Sequence, residues 1–247
     1  MRALLPILPL LAGCLPPAEP TELGVADVEP VALAFSAVQP DQSLALLEDP
    51  ALWLPYDAEC PTVAPSGPGR ERWQGGCSLV DGTAILGGLE RSTGEDGTWV
   101  AGDGFQVIDP EGVVVVQLDG AVELVENGEL IGIGASFTAC GVARSCAAGP
   151  VTADLALTLF PSSGYPSRYD LTADGVVASP SLEPTSVYGA WSIDLASCGL
   201  EPQAGSVVLT GAAPYSLEFD GALACDACGA LGFEGLPAGQ ACARWIE

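Results

Sequence analysis

Asp154-Leu155-Ala156-Leu157-Thr158-Leu159 alternates at a period of two. Leu155, Leu157 and Leu159 share one side; Asp154, Ala156 and Thr158 share the other. Successive side chains of an extended chain point to opposite faces, so this run reads as a strand with one face on a core and one in water. In a helix Leu157 would fall on the side away from Leu155 and Leu159. The same rhythm recurs along the chain. Ile131, Ile133, Ala135 and Phe137 oppose Gly132, Gly134, Ser136 and Thr138. Tyr169, Leu171 and Ala173 oppose Asp170, Thr172 and Asp174, and Trp191, Ile193 and Leu195 oppose Ser192, Asp194 and Ala196. Tyr215, Leu217 and Phe219 oppose Ser216, Glu218 and Asp220. One apolar and one polar face is the pattern of an antiparallel sheet solvated on one side. Val113-Val114-Val115-Val116 breaks the alternation and reads as a segment covered on both faces.

Dipeptides between and beside these runs predict how they connect. Asp81-Gly82, Asp96-Gly97, Asp103-Gly104, Asp119-Gly120, Asn127-Gly128, Asp174-Gly175 and Asp220-Gly221 all carry the residues of a tight hairpin turn. Such turns need positive φ, which Gly, Asn and Asp tolerate best. Residues 73–138 therefore read as a meander of neighbouring strands, and residues 150–247 as its continuation. The predicted fold is all-β: an antiparallel meander sheet stapled by disulfides. Whether it curls into a sandwich or an open barrel is left open. Gly149-Pro150 is the best candidate for a domain boundary, but Trp53, Trp73, Trp99, Trp191 and Trp245 are spread from end to end, and one domain over 31–247 is the preferred reading. Before the sheet, Asp41 to Glu48 predicts a short helix capped by Asp41 or Ser43 and stopped by Pro50.

Composition limits what the chain can do. It carries 32 acidic residues against 7 arginines, with no Lys and no His, for a formal charge of −25. Solubility accounts for that acidity more simply than function does. No basic patch is evident to neutralise phosphates, so nucleic-acid binding is not expected. Missing His removes the Ser-His-Asp triad and the Cys-His pair, and missing Lys removes Schiff-base chemistry. No G-x-S-x-G elbow, Walker loop, dinucleotide fingerprint or H-E-x-x-H helix occurs. Two carboxylates could still hydrolyse a glycoside, but with 32 acids no pair stands out. Calcium needs only oxygen ligands. The densest acidic stretch, Glu95-Asp96-Gly97 through Asp103-Gly104 to Asp109 and Glu111, lacks EF-hand and β-roll spacing, and turn chemistry explains its Asp-Gly pairs. No metal or other cofactor is assigned.

The N-terminus carries the most specific motif. Arg2 is followed by an apolar stretch to Leu11, and Leu11-Ala12-Gly13-Cys14 ends it. A charged start, a short apolar segment and small residues define a signal peptide. Pro6 and Pro9 interrupt the run, which is shorter than the roughly 18 residues of a membrane-spanning helix. A cysteine directly after the small residues resembles the lipobox of bacterial lipoproteins. The resemblance implies a signal peptide over 1–13, cleavage after Gly13, and lipid (palmitate among the acyl chains) on Cys14. Acyl chains hold a protein to a membrane at about 0.8 kcal/mol per buried methylene, which matters for a chain too acidic to be drawn to an anionic lipid surface. Leu15 stands where an Asp would favour inner-membrane retention, so the resemblance points to the outer membrane. Residues 14–30, with Pro16, Pro17, Glu19, Pro20 and Glu22, read as a semi-extended tether.

Setting Cys14 aside leaves eight cysteines: Cys60, Cys77, Cys140, Cys146, Cys198, Cys225, Cys228 and Cys242. An even number in an exported chain predicts disulfides. Locality favours Cys60–Cys77 and Cys140–Cys146, with Cys198–Cys225 and Cys228–Cys242 preferred among the last four. Cys225-Asp226-Ala227-Cys228 is also a C-x-x-C. A redox reading lacks a βαβ context, and a Cys₄ zinc reading with Cys198 and Cys242 lacks a second C-x-x-C. Compartment favours structural bridges.

Taken with Cys60-Pro61, Trp73-Gln74-Gly75-Gly76-Cys77 and the Gly/Asp-punctuated strands, the arrangement resembles uncharacterised cysteine-containing envelope lipoproteins of the myxobacterial type. That resemblance implies no particular activity. The expectation is a lipid-anchored envelope protein with a non-enzymatic binding or structural role. Two alternatives stand beside it: an apolar-ligand carrier or envelope-assembly factor using a concave sheet face, and a carboxylate-based hydrolase.

Overall fold

The computed structural model describes residues 31–247 except 33, 36, 95–96, 128, 143–144, 166, 200, 212–213, 222–227 and 243–247. The signal peptide, Cys14 and the tether lie outside the described residues. The strands are β1 (Thr62–Gly67), β2 (Arg70–Gln74), β3 (Cys77–Ser78), β4 (Ala84–Gly94), β5 (Gly97–Ile108), β6 (Val114–Asn127), β7 (Leu130–Cys140), β8 (Val151–Pro161), β9 (Arg168–Ser179), β10 (Leu182–Asp194), β11 (Pro202–Thr210), β12 (Tyr215–Asp220), β13 (Cys228–Phe233) and β14 (Leu236–Cys242). They form one antiparallel sheet in chain order, with β3 pairing only with β4. The sheet runs unbroken past Gly149-Pro150, because β7 pairs with β8.

The period-two reading sets the register. Leu157 on β8 pairs with Ile133 on β7 and Ala173 on β9, and all three face inward. The same inner row continues through Gly189, Val207, Leu217 and Leu231. Fully burying one such aliphatic side chain stabilises by about 1.5–3 kcal/mol, so a one-residue slip, which would turn every member outward, is strongly disfavoured. The valine run obeys this alternation too. Val113 and Val115 face solvent and Val116 faces the core, so the segment is not covered on both faces as its composition suggested. Leu195, in the turn after β10, is exposed rather than part of the inner face.

Three of the seven Asp-Gly and Asn-Gly pairs are not connections between strands. Asp103-Gly104, Asp119-Gly120 and Asp174-Gly175 lie inside β5, β6 and β9. Gly120 has φ +102° and Gly175 has φ +152°, and a Cβ at either would run into a carbonyl oxygen of the neighbouring strand, Ser136 or Asp154. Glycine is needed there because two backbones approach closely at a kink. Kinks of this kind bend long strands and coil the sheet.

The sheet needs that curvature. Thirteen strands laid flat would span about 58 Å at roughly 4.8 Å per strand. A helix is about 10–12 Å across and could cover only a few of them. Yet inward side chains on every strand from β4 to β12 are buried. They form one core with the described residues of 31–54. The helical residues in that segment include Val31, Ala34, Phe35 and Ala37, each 3 % exposed or less. A helix apolar all round belongs inside a core. Sequence reading put no helix at these positions; it expected only the next one, which spans Pro40–Leu47. That helix begins after Gln39 with Pro40 in its first turn and no side-chain cap. Ser43, expected as a cap, is instead 1 % exposed inside it, and its hydroxyl has no partner.

The sheet does not close into a barrel. β1 and β14 each pair on one side only. Such edges invite pairing with other chains. Pro65 on β1 and Pro237 on β14 lack the backbone N–H that a further strand would need.

Candidate functional site

Two of the edge hairpins are held covalently. Cys60–Cys77 joins the chain just before β1 to β3, across 17 residues of sequence. Cys228–Cys242 cross-links register partners on β13 and β14. Cys140–Cys146 closes the loop leaving β7. Edge hairpins have a neighbour on one side only, so bridges there replace packing that a central strand would receive. Cys198 is also disulfide-bonded, and the Gln203 amide donates to its sulfur at 3.3 Å. Cys225, its expected partner, lies outside the described residues. Cys228 is bonded to Cys242, outside its own C-x-x-C, which leaves Cys225-Asp226-Ala227-Cys228 no dithiol to cycle.

The acidic candidates for calcium are spent locally or lie apart. Asp109 accepts from the Val113 amide at 2.8 Å and shapes the β5–β6 turn. Glu95 and Asp96 lie outside the described residues. Among the described residues no group of three carboxylate or thiol side chains comes together to hold a metal. Two carboxylates are tuned by hydrogen bonds. Ser167 Oγ donates to Asp194 Oδ1 at 2.8 Å and the Ala196 amide to the same oxygen at 3.1 Å, while Ser197 Oγ donates to Oδ2 at 3.2 Å. These bonds, Ser167 foremost, hold Asp194 below the usual carboxylate range. The Thr83 amide does the same for Asp81. Both residues organise turns.

The described residues gather scarce cations at one place, the β1–β2 hairpin and its neighbour β4. Glu71 and Trp73 turn inward from β2, while Arg70, Arg72 and Gln74 turn outward. Glu71 faces Arg91 on β4, and Trp73 faces Leu89. The Arg91 guanidinium lies 3.7 Å from Glu71 Oε1, close enough for Coulomb attraction but too long for a hydrogen bond. Arg91 Nε and Glu71 Oε1 are both shielded from solvent without a hydrogen-bond partner. An unsatisfied buried group of this kind costs about 1–3 kcal/mol, more when charged. Arg70 sets its guanidinium 5.7 Å from the ring centre of Trp99, a cation–π contact. Arg72 stands opposite Glu90, whose carboxylate accepts from Ser66 at 3.0 Å.

A hollow of about 450 Å³ opens beside this group, lined among others by Val63, Pro65, Arg70, Glu71, Arg91 and Thr93. Its floor depends on Gly69. The Thr93 amide donates to the Gly69 carbonyl at 2.8 Å, and Gly69 has φ +64° with no room for a Cβ. Sequence reasoning missed these arginines. The available signal was concentration: Arg70, Arg72 and Arg91 are three of seven cations in the chain. Other hollows are a shallow one beside β13–β14, near Ser216, Glu218 and Leu236, and one over Trp191 and Gly205. No helix among the described residues is long and apolar enough to cross a membrane.

Comparison of the chain with protein-family models, with curated proteins and with solved structures finds no match.

Proposed function

We propose that this chain is a lipid-anchored protein of the cell envelope with a non-enzymatic binding or structural role, held through Cys14 to the outer membrane. The observation that carries the reading is the pairing of a lipobox-like Leu11-Ala12-Gly13-Cys14 with disulfides among the remaining cysteines. Disulfides persist in oxidising compartments such as the periplasm, and a signal peptide with a lipidated cysteine delivers a chain there. Binding falls to the outward surfaces, because the inner face is filled by core side chains and the helical residues near Phe35.

Fractionation tests the anchor. The wild-type chain, expressed in a Gram-negative host, is expected in the membrane fraction and labelled by palmitate. Cys14→Ser is expected to lose the label and leave the membrane. Retention of Cys14→Ser in the membrane, unlabelled, would overturn the anchor. For the non-enzymatic role, purified protein is incubated with envelope glycans and esters. Turnover that disappears on substitution of a single carboxylate would make it a hydrolase.

A further inference from the structure

We propose that the outward face of β9, β10 and β11 carries a binding site for a neutral saccharide, centred on Ala190. This names a ligand class for the binding role proposed above and rests on that reading. Register places the residues. Tyr188, Ala190 and Ser192 alternate along β10. Asp174, Thr172 and Asp170 stand opposite them on β9, and Val208, Ser206 and Ala204 on β11. These side chains leave one face of the sheet, because Leu171, Ala173, Trp191 and Val207 between them are buried on the other. Ala190 puts only a methyl group at the centre of the group, and Ala204 another at its corner. A hollow of about 360 Å³ opens there, lined among others by Asp170, Thr172, Ala190, Ser192 and Ala204, and its volume falls within the range of small-molecule sites.

The groups around the hollow suit a polyol. Asp170 and Asp174 accept hydrogen bonds, and the hydroxyls of Thr172, Ser192 and Ser206 both donate and accept. Ser162 Oγ donates to Asp170 Oδ2 at 3.0 Å and so orients that carboxylate. Tyr188, 64 % exposed, stands at the margin two residues from Ala190. Its ring offers an apolar face to the C–H side of a sugar ring while its hydroxyl stays in water. Charge narrows the ligand further. Two carboxylates and no arginine stand in the group, so an anionic sugar is repelled here as by the whole chain of net charge −25. Arg168, on the same face two residues beyond Asp170, is opposite Asp194 and sets its guanidinium 5.3 Å from the Tyr165 ring. Asp170 and Asp174 are four residues apart on one strand, about 13 Å at roughly 3.3 Å per residue, too far to share a calcium ion with ligands at about 2.4 Å. The site is open to water, which makes capture weak and reversible.

The test uses the purified full chain and its backbone amide NMR signals. Maltotriose, cellotriose, chitotriose, glycerol and spermidine are titrated separately. At least one trisaccharide is expected to shift Thr172, Tyr188, Ala190 and Ser192 saturably in the millimolar range. Thr138 and Thr152, paired on the same face on β7 and β8, are expected to stay in place, and glycerol is expected to shift none of these. Asp170→Ala is expected to weaken binding about tenfold, the effect of losing a hydrogen bond to a charged group. Tyr188→Ala is expected to weaken it about fivefold through the lost ring. Ala190→Leu, at an exposed position, is expected to fill the hollow and abolish binding with the other amide signals unchanged. No shift with any trisaccharide, shifts that glycerol reproduces, or an unchanged dissociation constant in Ala190→Leu overturns the site. Saturable binding of spermidine without any trisaccharide also overturns it, in favour of a polyamine bridging the two aspartates. A null result removes this site alone; the envelope role stands or falls on the fractionation and turnover experiments.

Discussion

Phe35→Ala is expected to destabilise the protein by about 3–5 kcal/mol, the range for a buried phenylalanine truncated in place. Phe35 is 0 % exposed and belongs to the core that includes the inner face of the sheet. The sheet that encloses it is hydrogen-bonded strand to strand, so the wall cannot easily move in to fill the space. The effect therefore belongs in the upper half of the range. For a domain of this size each kcal/mol moves the midpoint by about 2–4 °C, which gives a fall of about 8–20 °C. Thermal and urea unfolding of the oxidised chain, followed by tryptophan fluorescence, measure it. Leu52→Ala, at a side chain 74 % exposed, is the matched control and is expected to change stability by no more than about 0.5 kcal/mol. If Phe35→Ala costs no more than Leu52→Ala, residues 31–38 do not lie in the core, and the curled sheet must bury its inner face in another way.

Other expectations follow from single features. Ser43→Ala removes a buried hydroxyl without a partner and improves helix propensity, so it is expected to raise stability by about 1 kcal/mol in the same unfolding assay. Gly120→Ala combines an unfavourable φ with a collision against the Ser136 carbonyl, and overpacking is expected to cost about 1–3 kcal/mol; a neutral outcome would mean that β6 is not kinked there. Peptide mapping of the non-reduced protein is expected to link Cys228 to Cys242, and a Cys225–Cys228 link would contradict the fold at its last hairpin. Removing Cys60–Cys77 opens a loop closed over 17 residues and is expected to cost about 3 kcal/mol. Asp194 has a folded-state pKa below its ordinary 3.8, so its stabilising contribution is present above 3.8 and is lost as pH falls through the lower folded value. The stability gap between wild type and Asp194→Asn is therefore expected to be constant near neutrality and to shrink in that acid window; a gap that widens on acidification refutes the assignment.

What could be read from the sequence, and what could not, divides by the range of the interaction. The fold class and the phase of each strand follow from period-two alternation, because the side of a strand on which a residue sits is a local property. Leu155, Leu157 and Leu159 face the core, as Asp154-Leu155-Ala156-Leu157-Thr158-Leu159 required. The neighbouring cysteine pairs were also legible, since short loops bring their ends together. Distant contacts were not. Asp119-Gly120 and Asp174-Gly175 have the composition of turns, and only the approach of the adjacent strand made them kinks. Val113 to Val116 looked doubly covered, but no second layer lies over Val113 or Val115. Val31-Ala32 and Ala34-Phe35 offered no polar stripe to mark an amphipathic helix, because Val31, Ala34 and Phe35 are buried in the core they share with the inner face of the sheet. Arg91 and Glu71 are twenty residues apart and meet only because β2 pairs with β4. The sequence alone determined the local backbone state and the compartment expected from Cys14. The tertiary structure decided which strands lie beside one another and in what register, and so which distant side chains meet.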